Sequence, residues 1–215
     1  MDAEYELVIG DKNLSSWSLR PWLVLTVFGI PFKEIVISLR RPSTKQDILR
    51  HSSSGKVPAL KSGGLVLWDS LAIIEFVAER HPNAAIWPKD AEARAIARCT
   101  AAEMHSGFYA LRNEFPMDFI NVLGFPDASD KALADIERIV AIWMECRKRF
   151  GGAGAFLFGD FSAADAMFAP VASRFTTYEA DLARFGDDGT AARYRDLMMA
   201  LPAMRLWREG AEAEI

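Results

Sequence analysis

Cysteine is nearly absent from this chain, with only Cys99 and Cys146 among 215 residues. Two thiols inside helical patterns make neither a disulfide scaffold nor a metal site. Histidine is as scarce, and His51, His81 and His105 share no metal-ligand spacing, so no metal is expected. Excess positive charge is missing too. Lys and Arg number 25 against 29 Asp and Glu, a net charge of −4. The densest basic patch of the first half, Arg40, Arg41 and Lys45, is too small for a phosphate-binding groove, which argues against a nucleic-acid partner. The longest greasy stretch, "PWLVLTVFGI", is about half a membrane span. The start, "MDAEYE", is acidic where a secretory leader would be basic. These absences lead to the expectation of a soluble, cytoplasmic protein with no membrane partner.

What the chain does have is 51% hydrophobic residues, enough for one large core or two smaller ones. "YELVIG", from Tyr5 to Gly10, predicts a strand, and a helix follows from about Ser18 to Phe28. Pro21 fits that helix only in its first turn, which places the helix start at the serines of "NLSSWSLRPW". "FKEIVISL" predicts a second strand, "PSTKQDILRH" a short helix, and "KVPALK" with "LVLW" a hairpin around "SGG". "DSLAIIEFVAERH" then carries apolar residues at helical spacing. Strands followed by helices predict a right-handed parallel crossover, with the hairpin as an antiparallel edge. "HPNAAIWPKD" links this unit to an alanine-rich half without a convincing strand, where helices are expected at 91–113, 129–149, 163–180, 189–200 and near 203–212.

Three short stretches carry chemistry. A hydroxyl-rich helix start at Ser15, Ser16 and Ser18 either caps the helix or presents donors to an anion. Val57-Pro58, a proline inside a strand pattern, is either an ordinary edge residue or a cis bond that turns Val57's backbone groups outward, to pair with a peptide alongside. Asp69 and Ser70 open the next helix, either as its cap or as a pair that grips an ammonium and a carboxylate. In the second half, Ser162 and Asp165 form an S-x-x-D capping box, worth about 1 kcal/mol or more.

The order of these stretches resembles the glutathione transferase family. "SSWSLRPWL" is similar to the "SSCSxR" signature of its zeta, or maleylacetoacetate isomerase, class. "SGKVPAL" and "WDSLAIIEFVAE" resemble its glutathione-binding segments, and "SAADAMFAP" its C-terminal folding motif. The resemblance covers essentially the whole chain. It implies an α/β thioredoxin-like glutathione-binding domain at 1–82, a linker at 83–90 and an all-α domain at 91–215 that lines an electrophile pocket.

Residue by residue, the match gives Ser15 as the catalytic serine, with Ser16 second and Ser18 a cap. Arg20 takes the place of the signature arginine, where it either helps hold an electropositive loop or serves as a structural salt-bridge partner. Trp17, Lys56, Val57, Pro58, Asp69 and Ser70 become glutathione-binding residues, with Lys56 suited to the glycine carboxylate and His51 and Arg41 as helpers. Trp17 stands where the signature has cysteine, which removes a glutaredoxin-like exchange and bears against the isomerase reaction. Trp17, Met104, His105, Phe108 and Arg112 are the expected pocket residues, and Arg174 is a further candidate. Met104, Phe108 and Arg112 would share one helical face.

The implied function is a homodimeric detoxification enzyme. In it a serine hydroxyl favours the glutathione thiolate for attack on a small hydrophobic electrophile. The alternatives are a glutathione-dependent isomerase and a non-catalytic glutathione-binding protein.

Overall fold

The computed structural model describes residues 5–214, so part of the acidic start read above lies outside them. The first half runs β1 (Tyr5–Gly10), α1 (Ser16–Val27), β2 (Phe32–Ile37), α2 (Thr44–Leu49), β3 (Ala59–Ser62), β4 (Leu65–Leu67) and α3 (Ser70–Arg80). Sheet order is β2-β1-β3-β4. Strand β2 lies parallel to β1, with Gly10 opposite Ile37. Strand β3 is antiparallel, with Val8 opposite Ala59, and β4 closes the hairpin with Leu60 opposite Leu67. A crossover through α1 and a hairpin edge are what the order of elements predicted.

This register fixes where the chemistry gathers. The exits of β1 and β2, the start of β3 and the exit of β4 all fall at one end of the sheet. Ser15, Val57-Pro58 and Asp69-Ser70, far apart in sequence, therefore share that end.

The second half is helical: α4 (Ala91–Ser106), α5 (Tyr109–Glu114), α6 (Asp130–Phe150), α7 (Ala163–Thr177), α8 (Thr190–Ala200) and α9 (Pro202–Glu212). All of α7 except Thr176 is buried. Its alanines let α1, α4 and α8 approach it closely, and the α1–α7 contact seats one half on the other. Ser162 donates to Asp165 from both its backbone and its hydroxyl, the expected capping box at the start of α7.

Two expectations are corrected. Pro21 is the sixth residue of α1, beyond the first turn. Lacking an N–H, it leaves the carbonyl of Trp17 outside the helical ladder. The helix expected over 91–113 is two helices, because the chain turns at Gly107 and Phe108 takes a left-handed φ of 56°. Met104, Phe108 and Arg112 therefore do not share one helical face.

Candidate functional site

Helix α1 begins with its hydroxyls differentiated. Ser15 is the N-cap: its oxygen accepts the Ser18 backbone N–H at 3.4 Å, and its hydroxyl donates to Ser18 Oγ at 2.7 Å. Ser18 Oγ also accepts the Gly10 N–H at 3.1 Å, which ties the helix to the end of β1. Capping therefore falls to Ser15, and Ser18, expected as the cap, is the interior anchor beneath it. The Ser16 hydroxyl makes no hydrogen bond among the described residues. It stands in the first turn, where the helix dipole and free backbone amides favour negative charge.

The neighbouring strand end has the geometry one reading foresaw, with the Val57–Pro58 peptide cis. Pro58 is buried, Val57 half-buried and Lys56 exposed. Asp69 caps α3 by accepting from Leu71 and Ala72 through one oxygen, at 3.1 and 3.4 Å. Its other oxygen meets His105 Nε2 at 3.0 Å. Ser70 is fully buried, and its hydroxyl has no partner among the described residues. His51 Nδ1 lies 3.0 Å from Lys61 Nζ; burial and that lysine hold its pKa below the ordinary value. Arg41 is exposed.

Across from these elements the helical half contributes cations rather than a greasy wall. The indole of Trp17 lies between two guanidiniums, Arg20 at 4.2 Å and Arg112 at 5.2 Å from its ring centre, with the His105 ring edge-on at 5.4 Å. Arg20 is fully buried, and its Nε and one terminal nitrogen have no acceptor among the described residues. Burial, then the nearby Arg174 and Arg112, push its pKa down to about 9, while Asp69 opposes them. Arg174 donates to the carbonyls of Phe115 at 2.7 Å and Pro170 at 3.2 Å, and burial, then Arg112, lower its pKa to about 10. Burial lowers the Arg112 pKa against the pull of Asp135, and its Nε is buried without a partner among the described residues. Arg20 and Arg112 thus meet at Trp17 with too few acceptors, and Arg174 adds its charge nearby, an arrangement that favours a bound anion.

In the structure Trp17, His105 and Arg112 come together, joined by Arg20. Met104 and Phe108 do not: both belong to the hydrophobic core. The Asp69–His105 bond was missed, since no spacing rule connects a helix start to a histidine on the next half's first helix. Asp135, which faces Arg112 and accepts the Leu111 N–H at 3.0 Å, was missed for the same reason. A groove of about 950 Å³ between α6 and α8 shares none of these residues. Among the described residues, no group of three His, Cys, Asp or Glu is placed to hold a metal, and no helix is long and apolar enough to cross a membrane.

Comparison with known proteins bears on the family and the fold. Residues 14–80 match the family model of the glutathione S-transferase N-terminal domain, and residues 126–210 that of the C-terminal domain. A probable maleylacetoacetate isomerase of Caenorhabditis elegans is 26% identical over 195 residues, 89% of this chain and 87% of the relative. A maleylpyruvate isomerase of Ralstonia sp is 27% identical, over 78% of this chain and 82% of its own length. Among solved structures, a glutathione transferase homolog from Burkholderia GL BGR1 with bound glutathione superposes with a TM-score of 0.70 at 23% identity, covering 97% of this chain and 98% of that one. Glutathione transferase Omega 2S from Trametes versicolor gives 0.71 at 22% identity, over 98% and 94%. With both domain models matched in order on a chain that folds this way, the protein belongs to the glutathione S-transferase family of enzymes.

Proposed function

We propose that this enzyme binds glutathione along the Val57-Pro58 segment that leads into β3, with the thiol over the start of α1, and that a serine hydroxyl there holds the sulfur as thiolate. The observation that carries this is the Ser16 hydroxyl in the first turn of α1, unpaired among the described residues, beside Ser15, whose hydroxyl is committed to Ser18. The peptide backbone pairs with the outward-facing groups of Val57. Its γ-glutamyl carboxylate meets the Ser70 hydroxyl, and its ammonium meets Asp69. Serine is no base here. It donates a hydrogen bond to the charged sulfur, worth roughly 1.5–3 kcal/mol, or about one to two pKa units. A free thiol near pKa 8.5 then falls towards 7, which gives a nucleophile at neutral pH.

Titrating bound glutathione by its ultraviolet thiolate absorbance tests this. Ser16→Ala should raise the thiol pKa by about one unit or more. Ser15→Ala should chiefly loosen the helix, by about 1 kcal/mol. If the thiol pKa follows Ser15 alone, the roles of the two serines are reversed. If it follows neither, the serine reading fails.

The guanidinium cluster favours a second reading, in which the acceptor is anionic. A cis-enedioate of the maleyl type would place its carboxylates against Arg20, Arg112 and Arg174. Addition of the thiolate to the double bond leaves a single bond free to rotate, and elimination then returns the thiolate with the trans product. Both readings share the thiol site and differ in acceptor. A screen of neutral aryl halides against a maleylacetone-type substrate separates them. Arg112→Leu should raise KM about tenfold for an anionic acceptor and leave that for glutathione unchanged.

A further inference from the structure

The loop that delivers Ser15 and Ser16 to the thiol site is gripped from the helical half at two successive residues. The N–H of Lys12 donates to Glu214 at 2.8 Å, and its carbonyl accepts Trp207 Nε1 at 2.8 Å. Its ammonium pairs with Glu34 at 2.7 Å and lies over the rings of both Trp22 and Trp207. Asn13 is held more fully. Its Oδ1 accepts the backbone N–H of Phe119 at 2.7 Å and that of Ile120 at 3.1 Å. Its side chain also lies close enough to the Asp118 carboxylate to favour the charged form. Burial would raise that carboxylate, but Asn121, Asn13 and the Ile120 amide hold it below its ordinary pKa.

Only Leu14 separates Asn13 from Ser15. The intervening turn has no slack, because Leu14 and Ser15 both donate to the Asp11 carbonyl, at 3.1 and 2.8 Å. A shift of Asn13 therefore passes directly to the start of α1. Hydrogen bonds weaken steeply with misalignment, so a small shift there changes how well a serine hydroxyl meets a sulfur.

We propose that Asn13 is a positioning residue for thiol activation: through residues 118–120 it lets the helical half set the placement of the α1 hydroxyls. The proposal rests on the preceding reading that the thiol lies at these serines. An amide is required by the polarity of the site. Its oxygen accepts two N–H groups and its amide favours the neighbouring carboxylate, so leucine loses both effects and aspartate sets two carboxylates near each other.

The test compares the wild type with Asn13→Leu, Asn13→Asp and the polarity swap Asn13→Asp with Asp118→Asn. The readouts are the thiol pKa of bound glutathione and the kinetics at pH 6.5. Either single substitution should raise the thiol pKa by about one unit and lower kcat/KM about tenfold, with KM for glutathione within about threefold of the wild type. The swap restores an acceptor for both amides and a donor between the side chains, and should return most of the pKa shift. If the single variants melt earlier but keep the wild-type thiol pKa, Asn13 only joins the two halves and the proposal is wrong. If neither single variant folds, the swap decides: a raised thiol pKa there overturns the proposal, and a wild-type value supports it. A wild type whose bound thiol is not depressed at all overturns the serine reading together with this one, and that result is distinct from an Asn13-specific failure.

Discussion

Replacing Asp165 with alanine removes one acceptor from four donors. One carboxylate oxygen takes the Leu157 N–H at 3.1 Å and the Tyr194 hydroxyl at 3.0 Å, and the other takes the Ser162 N–H at 2.8 Å and its hydroxyl at 2.9 Å. The residue is fully buried. The two hydroxyls can rotate toward new partners, but the two backbone amides cannot, and each orphaned amide costs about 2 kcal/mol. Release of a buried charge offsets part of that total, leaving a net loss of about 3 kcal/mol at pH 7. This exceeds the value of a simple helix cap, because the carboxylate also pins the 157–162 turn and α8.

The pH dependence supplies a second signature. Burial, against all four hydrogen bonds, lifts the Asp165 pKa to about 6. Its unfolded value is near 3.9. An acid whose folded pKa is raised stabilises the fold fully below its unfolded pKa and loses that contribution as pH climbs through its folded pKa. Between pH 5 and pH 7 the wild type should lose about 1.3 kcal/mol from this group, and the alanine variant none. Urea unfolding at both pH values, alongside kcat/KM, checks the reasoning. The gap between wild type and variant should be wider at pH 5. A loss below about 1 kcal/mol, a gap narrower at pH 5, or a large kinetic defect at unchanged stability would refute it.

Three further outcomes follow from other contacts. Asp69→Asn keeps an α3 cap and removes the charge, so KM for glutathione should rise about tenfold with the melting temperature nearly unchanged; an unaltered KM would remove Asp69 from the ammonium site. Gly210→Ala puts a methyl 2.6 Å from the Lys12 side chain, which Glu34 and two tryptophans hold in place. It should cost about 1–3 kcal/mol in thermal or urea unfolding, and a neutral result would mean that the lysine moves freely. Trp17→Cys sets a thiol at the start of α1 between Arg20 and Arg112, and thiol–disulfide exchange with a small disulfide should appear where the wild type shows none. No gain would mean that the site does not lower a thiol pKa.

The local elements were legible in the sequence because their signals are local. Alternation in "YELVIG", turn residues in "SGG" and apolar spacing in "DSLAIIEFVAERH" each specify a strand, a hairpin or a helix within a few residues, and all three formed. The break at Gly107 was not legible, since a glycine inside an otherwise periodic stretch is compatible with a continuous helix until Phe108 turns left-handed. The same limit applied to the pocket. Met104 and Phe108 have the composition of a binding wall, yet they are core, because the second helix starts on a new axis.

The sequence by itself determined the order of strands and helices, and with it the end of the sheet where Ser15, Val57-Pro58 and Asp69-Ser70 meet. Tertiary structure alone decided which serine hydroxyl is left unpaired among the described residues, that His105 reaches Asp69, and that Arg20 and Arg112 meet at Trp17 with Arg174 nearby. The physical reason is one of range. Backbone conformation follows from side chains three or four residues apart, whereas the partner of a buried polar group is whatever a distant helix brings to it when the core closes.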